Sequence, residues 1–126
     1  MENLKILIVD DIPTNVTLIA AIIKKLKNIE YQTSEDGEDA IKKVDEFKPN
    51  IVLLDLMMPG VDGWDVLKHI REKYTMQEMA VIVTSAITDH ENITECYNLG
   101  VNDYVAKPIV PDRLLNTIQI HANKLA

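Results

Sequence analysis

The chain has 126 residues, of which 47% are apolar, and its 13 basic and 20 acidic residues give a formal charge of −7. This length and composition fit one compact domain spanning residues 1–126, and the excess of acid disfavours direct nucleic-acid binding. No apolar run approaches the roughly 20 residues that cross a membrane, and no export signal is evident, so we expect a cytoplasmic protein without membrane contact.

Cysteine and histidine are too sparse to indicate a covalent or zinc framework. The single Cys96 excludes an internal disulfide, and His69, His90 and His121 are too far apart in sequence to form a local ligand cluster. Any metal site in this chain is therefore expected to use oxygen ligands.

Short apolar runs alternate along the chain with longer stretches of helical period. The pattern predicts strands at residues 6–9, 31–33, 51–54, 81–84 and 103–105, and helices at 16–26, 40–47, 64–70, 93–99 and 114–125. Strands without polar alternation, joined by helices, predict a parallel five-stranded sheet with helices on both faces. A closed barrel would need about eight such units.

Several residues mark element boundaries. Pro13 and Pro111 suit first helical turns, Thr88 with Glu91 has the spacing of a capping box, and Gly100 suits a helix end. Two apolar helical faces predict core packing, and Trp64 is also interpreted as packing; the faces comprise Ala40, Ile41, Val44 and Phe47, and Leu114, Leu115, Ile118 and Ala122.

Polar residues stand where four of the predicted strands end. They are Asp10 and Asp11, Asp55, Ser85 after Thr84, and Lys107. In an open parallel sheet the ligand crevice lies beyond the carboxyl ends of the strands, so these groups are expected to converge at one edge.

Each of these residues also has an ordinary structural interpretation: Asp11 as a helix cap, Asp55 as a strand end, Ser85 as a loop residue and Lys107 as a solvated surface cation. Together they indicate more. Three crowded carboxylates repel each other unless a cation lies among them, and an oxygen-only cluster suits Mg²⁺. Such a site would allow a carboxylate to attack phosphorus, with Lys107 and Ser85 holding phosphoryl oxygens.

Four segments carry a resemblance to a known family: ILIVDD at residues 6–11, LLDLMMPGVDG at 53–63, SA at 85–86 and YVAKP at 104–108. In this order and at these strand ends they resemble the response-regulator receiver family of two-component signalling, over about residues 4–125. The resemblance implies a flavodoxin-like (βα)₅ fold with strand order 2-1-3-4-5.

The resemblance also implies a role for each matching residue. Asp55 would be the phosphoacceptor, and Asp10, Asp11, Asp55 and the backbone carbonyl of Met57 would hold Mg²⁺, for which Mn²⁺ or Ca²⁺ would substitute. The implied protein is a signalling phosphoacceptor that catalyses only its own phosphorylation and dephosphorylation.

The phosphoryl group would be sensed by a second set of residues. By resemblance, Lys107 is its counter-ion, Ser85 and Tyr104 form the switch, and a cis peptide joins Lys107 to Pro108. The switch would change the surface of the fourth helix, fifth strand and fifth helix. The alternative for Tyr104 is a half-buried strand residue with a wetted hydroxyl.

Partners follow from the same resemblance. A sensor histidine kinase or histidine phosphotransfer protein would donate the phosphoryl group, and an output domain or downstream protein would receive the signal, with a phosphorylation-dependent homodimer as a further expectation. The expected docking surface for the kinase comprises Ile12, Pro13, Asn15, Val16 and Ile109.

Two positions beside the predicted site are apolar where similar receivers often carry polar groups. They are Met57, two residues after Asp55, and Ile87, two residues after Ser85. Without a polar side chain there to orient an attacking water, we expect slow self-dephosphorylation.

Three competing functions are disfavoured by the residues. A phosphatase resembling the haloacid dehalogenases would need a second acid two residues after the nucleophile, where this chain has Met57. A flavin module would need a phosphate-cradling loop where this chain has Asp10 and Asp11. A degenerate receiver that only docks partners would not require the complete set of acids, hydroxyl and lysine.

Overall fold

A computed structural model of the chain describes residues 3–86 and 90–124, and within them five strands alternate with five helices. The strands are β1 (Leu4–Val9), β2 (Ile29–Ser34), β3 (Ile51–Leu54), β4 (Ala80–Ser85) and β5 (Asp103–Ala106). The helices are α1 (Pro13–Ile23), α2 (Gly37–Phe47), α3 (Gly63–Lys73), α4 (His90–Asn98) and α5 (Pro111–Lys124). The predictions made for Ile87, Thr88 and Leu125 fall outside the described residues.

The strands form one parallel sheet in the order β2-β1-β3-β4-β5, which confirms the predicted flavodoxin-like topology. In the register of β1 and β3, Val9 lies opposite Leu54. The two strands therefore end at the same level, and the residues that follow them leave the sheet side by side.

The core has two layers, one on each face of the sheet. On one face Leu7 and Val9 pack with Val44 of α2 and Leu67 of α3, and on the other Ile6 packs beneath α1 and α5. β1 is buried from its third residue onward, and β3 and β4 are buried throughout. Because successive side chains of a strand point to opposite faces, only continuously apolar strands can serve both layers.

The edge strand β2 has a different pattern, in which half-buried and exposed residues alternate until the buried Ser34. It pairs only with β1 in the described sheet, and one of its faces is more open to solvent. This explains why the apolar pattern predicts only residues 31–33 of a strand that spans Ile29–Ser34.

All five helices begin earlier than the sequence predicts, and α1 differs from its prediction by three residues at both ends. The helix begins at Pro13 rather than residue 16 and ends at Ile23 rather than 26. After Ile23 the amides of Lys25 and Leu26 bond to carbonyls three residues back, and this tighter turn ends the helix. The apolar period continues through Leu26 because that side chain still packs against the core.

The capping predictions have mixed outcomes. Pro13 and Pro111 begin α1 and α5, as predicted, and Gly100 follows α4 with φ +96°. The alternative that Asp11 caps α1 is wrong, because the N-cap residue is Ile12, whose side chain forms no capping hydrogen bond. Among the helices that the structure describes, none is both long and apolar enough to span a bilayer.

Candidate functional site

Three carboxylates meet where β1 and β3 end. Asp10 follows Val9 and Asp55 follows Leu54, so the pairing of these strands places the two acids next to each other, with Asp11 beside them. One carboxylate oxygen from each acid lies within 4.8 Å of the others. Asp10 is fully buried and Asp55 is 3% exposed, so both charges are largely removed from water and need compensation.

Lys107 supplies a positive charge to this cluster from the loop after β5. Its Nζ lies 2.8 Å from Asp10 Oδ2 and 3.3 Å from Asp55 Oδ2. Burial opposes the charge on the ammonium, but the hydrogen bond to Asp10 and the charges of both acids outweigh it and raise the pKa of Lys107. Lys107 therefore remains a cation at neutral pH.

Backbone amides fix the second oxygen of each buried acid. The amide of Ile12 donates to Asp10 Oδ1 at 3.0 Å, and the amide of Met57 donates to Asp55 Oδ1 at 3.0 Å. Burial raises the pKa of Asp55, and the charge of Asp10 adds to this, against the opposing effects of Met57 and Lys107. Asp55 is thus a desolvated carboxylate held in one orientation.

The backbone of Gly63 closely approaches the backbone of Asp55, a contact that was not predicted from the sequence. A Cβ placed on Gly63 would lie 2.2 Å from the Asp55 carbonyl oxygen, so only glycine fits here. The side chain of Asp62 caps α3 in a reciprocal capping box with Asp65, which fixes the start of the helix at Gly63. The sequence signal that would have found this contact is Asp62, a residue typical of N-caps, followed directly by glycine.

The acidic residues fit a hard divalent cation. The Oδ1 atom of Asp11 is buried and has no hydrogen-bond partner among residues 3–86 and 90–124. An orphaned buried oxygen is costly unless something binds it, and carboxylate oxygens are the ligands that Mg²⁺ prefers. Asp10, Asp11 and Asp55 are therefore a suitable donor set, and the backbone carbonyl of Met57 remains a predicted fourth ligand.

The predicted switch residues are linked by the backbone. Ser85 is the last residue of β4 and is fully buried. Its carbonyl oxygen accepts hydrogen bonds from the Tyr104 hydroxyl at 3.1 Å and from the Lys107 amide at 3.0 Å. Tyr104 is half-buried and packs against the core, and the peptide bond between Lys107 and Pro108 is cis.

The expected docking surface is only partly exposed. Ile12 is 47% exposed and Pro13 is also exposed, whereas Ile109 is half-buried. Asn15 turns towards the acids, with its amide nitrogen 3.5 Å from Asp10 Oδ1. The expectation that Val16 is an accessible contact is wrong, because this residue is only 9% exposed and lies on the helix face that enters the core.

Comparison with known proteins agrees with this fold. Residues 6–119 match the family described as response regulator receiver domain. The chemotaxis protein CheY of Listeria monocytogenes is 36% identical over 92% of this chain and 96% of its own length. The alkaline phosphatase synthesis transcriptional regulatory protein PhoP of Bacillus subtilis is 34% identical over 86% of this chain, which matches 44% of the relative.

A solved structure gives the same result for the fold. The response regulator domain of Thermotoga maritima CheB superposes with a TM-score of 0.86 and 26% identity, over 97% of this chain and 98% of that one. Fold and site together define a signalling domain of two-component systems. The chain belongs to the response regulator receiver domain family.

Proposed function

We propose that Asp55 accepts a phosphoryl group from the phosphohistidine of a sensor histidine kinase or histidine phosphotransfer protein. The observation that carries this proposal is the position of the Asp55 carboxylate, which lies beside the Lys107 ammonium and is fixed by the Met57 amide. An Asp55 oxygen would form a bond to phosphorus as the bond from phosphorus to the donor imidazole nitrogen breaks. The imidazole would leave as a neutral base after taking up a proton.

The surrounding residues would stabilise the transferred group. Lys107, already a cation at neutral pH, would move its hydrogen bonds from the acids to the phosphoryl oxygens, and the Ser85 hydroxyl would hold another. Mg²⁺ bound by Asp10, Asp11 and Asp55, and by the Met57 carbonyl, would offset the negative charge of the reacting group. The same oxygen ligands are expected to bind Mn²⁺ or Ca²⁺ in place of Mg²⁺.

The contact between Tyr104 and Ser85 supports a route from the site to the surface. A movement of β4 at Ser85 would alter the carbonyl that holds the Tyr104 hydroxyl, and with it the surface of α4, β5 and α5. That surface would then control an output domain, a downstream protein or a second copy of this chain. Phosphorylation would shift the population between two conformations, and hydrogen exchange across residues 90–124 measures that shift.

The donor would dock beside the acids, on Ile12, Pro13, Asn15 and the half-buried Ile109. The exposed Ile12 and Pro13 lie directly after Asp10 and Asp11 in the chain, so a protein bound there would bring its phosphohistidine close to the site.

Met57 is 62% exposed next to Asp55. Because the Met57 side chain has no polar group to orient an attacking water, we expect slow self-dephosphorylation. The phosphorylated protein should therefore have a longer half-life than the phosphorylated Met57→Asn variant.

Intact-mass spectrometry tests the proposal. Incubation with acetyl phosphate and Mg²⁺ is expected to add the mass of one phosphoryl group, to require the metal and to be reversed by base. Asp55→Asn should abolish the gain, whereas Asp112→Asn, a change of an exposed acid on α5, should preserve it. A gain of equal size in Asp55→Asn would contradict the assignment of the phosphoacceptor.

A further inference from the structure

An open apolar groove lies at the end of the sheet opposite Asp55. The groove has a volume of about 400 Å³, and we call it the basal groove, formed by Leu4, Leu26, Ile29, Ile118 and Ala122. Leu4 and Ile29 are the first residues of β1 and β2, whereas Asp10 follows the last residue of β1. With a rise of about 3.3 Å per residue, the groove is about 20 Å from the acids.

The floor of this groove is an unfinished edge of the core. Leu4, Leu26, Ile29 and Ala122 are half-buried and pack against the core layer beneath α1 and α5, while Ile118 is fully buried. Burying apolar surface that is still in contact with water is favourable by about 25 cal/mol per Å². A partner with apolar side chains would therefore gain free energy by covering this floor.

The rim of the groove is basic, in contrast to the protein as a whole. Lys25 and Lys27 line it and are exposed, and neither forms an ion pair with any residue that the structure describes. The neighbouring Lys24 lies 5.9 Å from the centre of the Tyr31 ring. Three of the 13 basic residues thus fall within positions 24–27 of a chain whose formal charge is −7.

Lysines just after a helix also interact favourably with the negative end of the helix dipole. That effect accounts for cations after α1, but it does not require a partly exposed apolar floor between α1 and α5. The dipole of α1 therefore does not explain why an apolar floor and a basic rim occur together.

We propose that the basal groove docks an acidic amphipathic helix of another protein. Apolar side chains at positions i, i+3, i+4 and i+7 of such a helix would cover the floor, and flanking carboxylates would meet Lys25 and Lys27. A nucleic acid is disfavoured because the apolar floor between the lysines offers nothing to a phosphate backbone, whereas the apolar side chains of a helix can cover it. The interaction goes beyond the phosphorylation site and does not use its residues.

Fluorescence anisotropy with a defined probe tests this inference. The probe is a labelled helical peptide with leucine at i, i+3, i+4 and i+7 and glutamate at the flanking positions. We expect saturable binding that is weakened by salt, and about tenfold weaker binding to the double variant Lys25→Glu with Lys27→Glu. The matched control, Lys42→Glu with Lys68→Glu, makes the same charge change at exposed sites on α2 and α3 and should alter binding by less than about twofold.

Further measurements separate this partner from other occupants. Amide shifts in nuclear magnetic resonance spectra should concentrate at residues 25–29 and 118–122, and Leu26→Ala, checked for folding by circular dichroism, should weaken binding. Equal binding of a scrambled peptide, or equal loss in the control variant, would overturn the proposal. So would tighter binding to phosphatidylglycerol vesicles, or a self-association that Lys25→Glu with Lys27→Glu abolishes, because these outcomes assign the groove to a membrane or a second copy.

Discussion

The ammonium group of Lys107 lies 2.8 Å from Asp10 Oδ2, although 97 positions separate the two residues along the chain. Asp10 is fully buried, and the side chain of Lys107 is only 17% exposed. Removal of Lys107 would leave the buried carboxylate of Asp10 without this counter-ion, whereas removal of Asp10 would still leave Lys107 paired with Asp55. This pair therefore makes the stability of the protein depend on the same residues as its proposed chemistry.

Lys107→Met is expected to destabilise the metal-free protein by about 3 kcal/mol, because it leaves the buried carboxylate of Asp10 without its counter-ion. Excess Mg²⁺ should reduce this loss, since a cation bound by the acids replaces part of the missing charge. Urea unfolding in chelator and in Mg²⁺ measures both effects. Lys68→Met, at an exposed position of α3, is the control. A loss of stability in Lys107→Met that Mg²⁺ does not reduce would contradict the assignment of the acids as ligands of Mg²⁺.

Asp55→Asn is expected to stabilise the metal-free protein at neutral pH. The pKa of Asp55 is raised in the folded state, so the folded chain binds more protons than the unfolded chain and stability falls as pH rises through the folded pKa. The neutral asparagine avoids that loss. The advantage of the variant should grow as pH rises above the ordinary value of 3.8 and should disappear as pH falls below it.

Unfolding midpoints at a series of pH values measure this difference, with Glu46→Gln, at an exposed position of α2, as the control. An advantage that grows as the solution is acidified would show that the ionised form of Asp55 is favoured by the fold.

Gly63→Ala is expected to cost about 3 kcal/mol and to slow phosphorylation of Asp55. Its added Cβ would lie 2.2 Å from the Asp55 carbonyl oxygen and 2.4 Å from Leu56 Cα, and these backbone atoms cannot yield without moving the acid. Gly60→Ala is a matched control, because Gly60 has φ +72° but no atom within 4 Å of an added Cβ. That variant should lose only about 1 kcal/mol from backbone strain, and equal phosphorylation rates in the two variants would disprove the positioning role of Gly63.

Thr84→Val is expected to stabilise the protein by about 1 kcal/mol. Thr84 is fully buried, and its hydroxyl has no hydrogen-bond partner among the described residues. In β4 it lies opposite Val105, a core residue, so a methyl group suits the site better than a hydroxyl. The control Thr17→Val removes a hydroxyl that donates to the Pro13 carbonyl on an exposed helix face, and it should give no gain. A lower urea midpoint for Thr84→Val would show that the hydroxyl has a role in the fold.

Much of the architecture was predictable because it depends on local pattern. The period of the apolar residues distinguishes strands from helices, and β3 spans the predicted residues 51–54. Parallel strands end at one edge, so the order of the motifs was enough to place Asp10 and Asp55 together. Prediction was weakest at the edge strand β2 and at the ends of α1, where solvent exposure and turn geometry replace the apolar period.

Other features were decided only by tertiary packing. The sequence around Val16 does not show whether its side chain is exposed for docking or buried, but the orientation of α1 directs it into the core. The guanidinium of Arg71 donates to the carbonyls of Gly100 at 2.7 Å and Met79 at 2.9 Å. Burial lowers the pKa of Arg71 to about 10, well above neutrality, so its charge persists. No local pattern around Arg71 indicates these contacts.

The amino-acid sequence by itself determined the alternating elements, the topology class and the set of chemical groups at the carboxyl edge of the sheet. Only the tertiary structure decided which oxygen of Asp10 meets Lys107, which backbone atom receives the Tyr104 hydroxyl and which lysines border an open apolar groove. The physical reason is the distance along the chain over which each kind of interaction acts. Backbone preferences and apolar periods act over a few residues, whereas distances between side chains from separate elements depend on how the whole core packs.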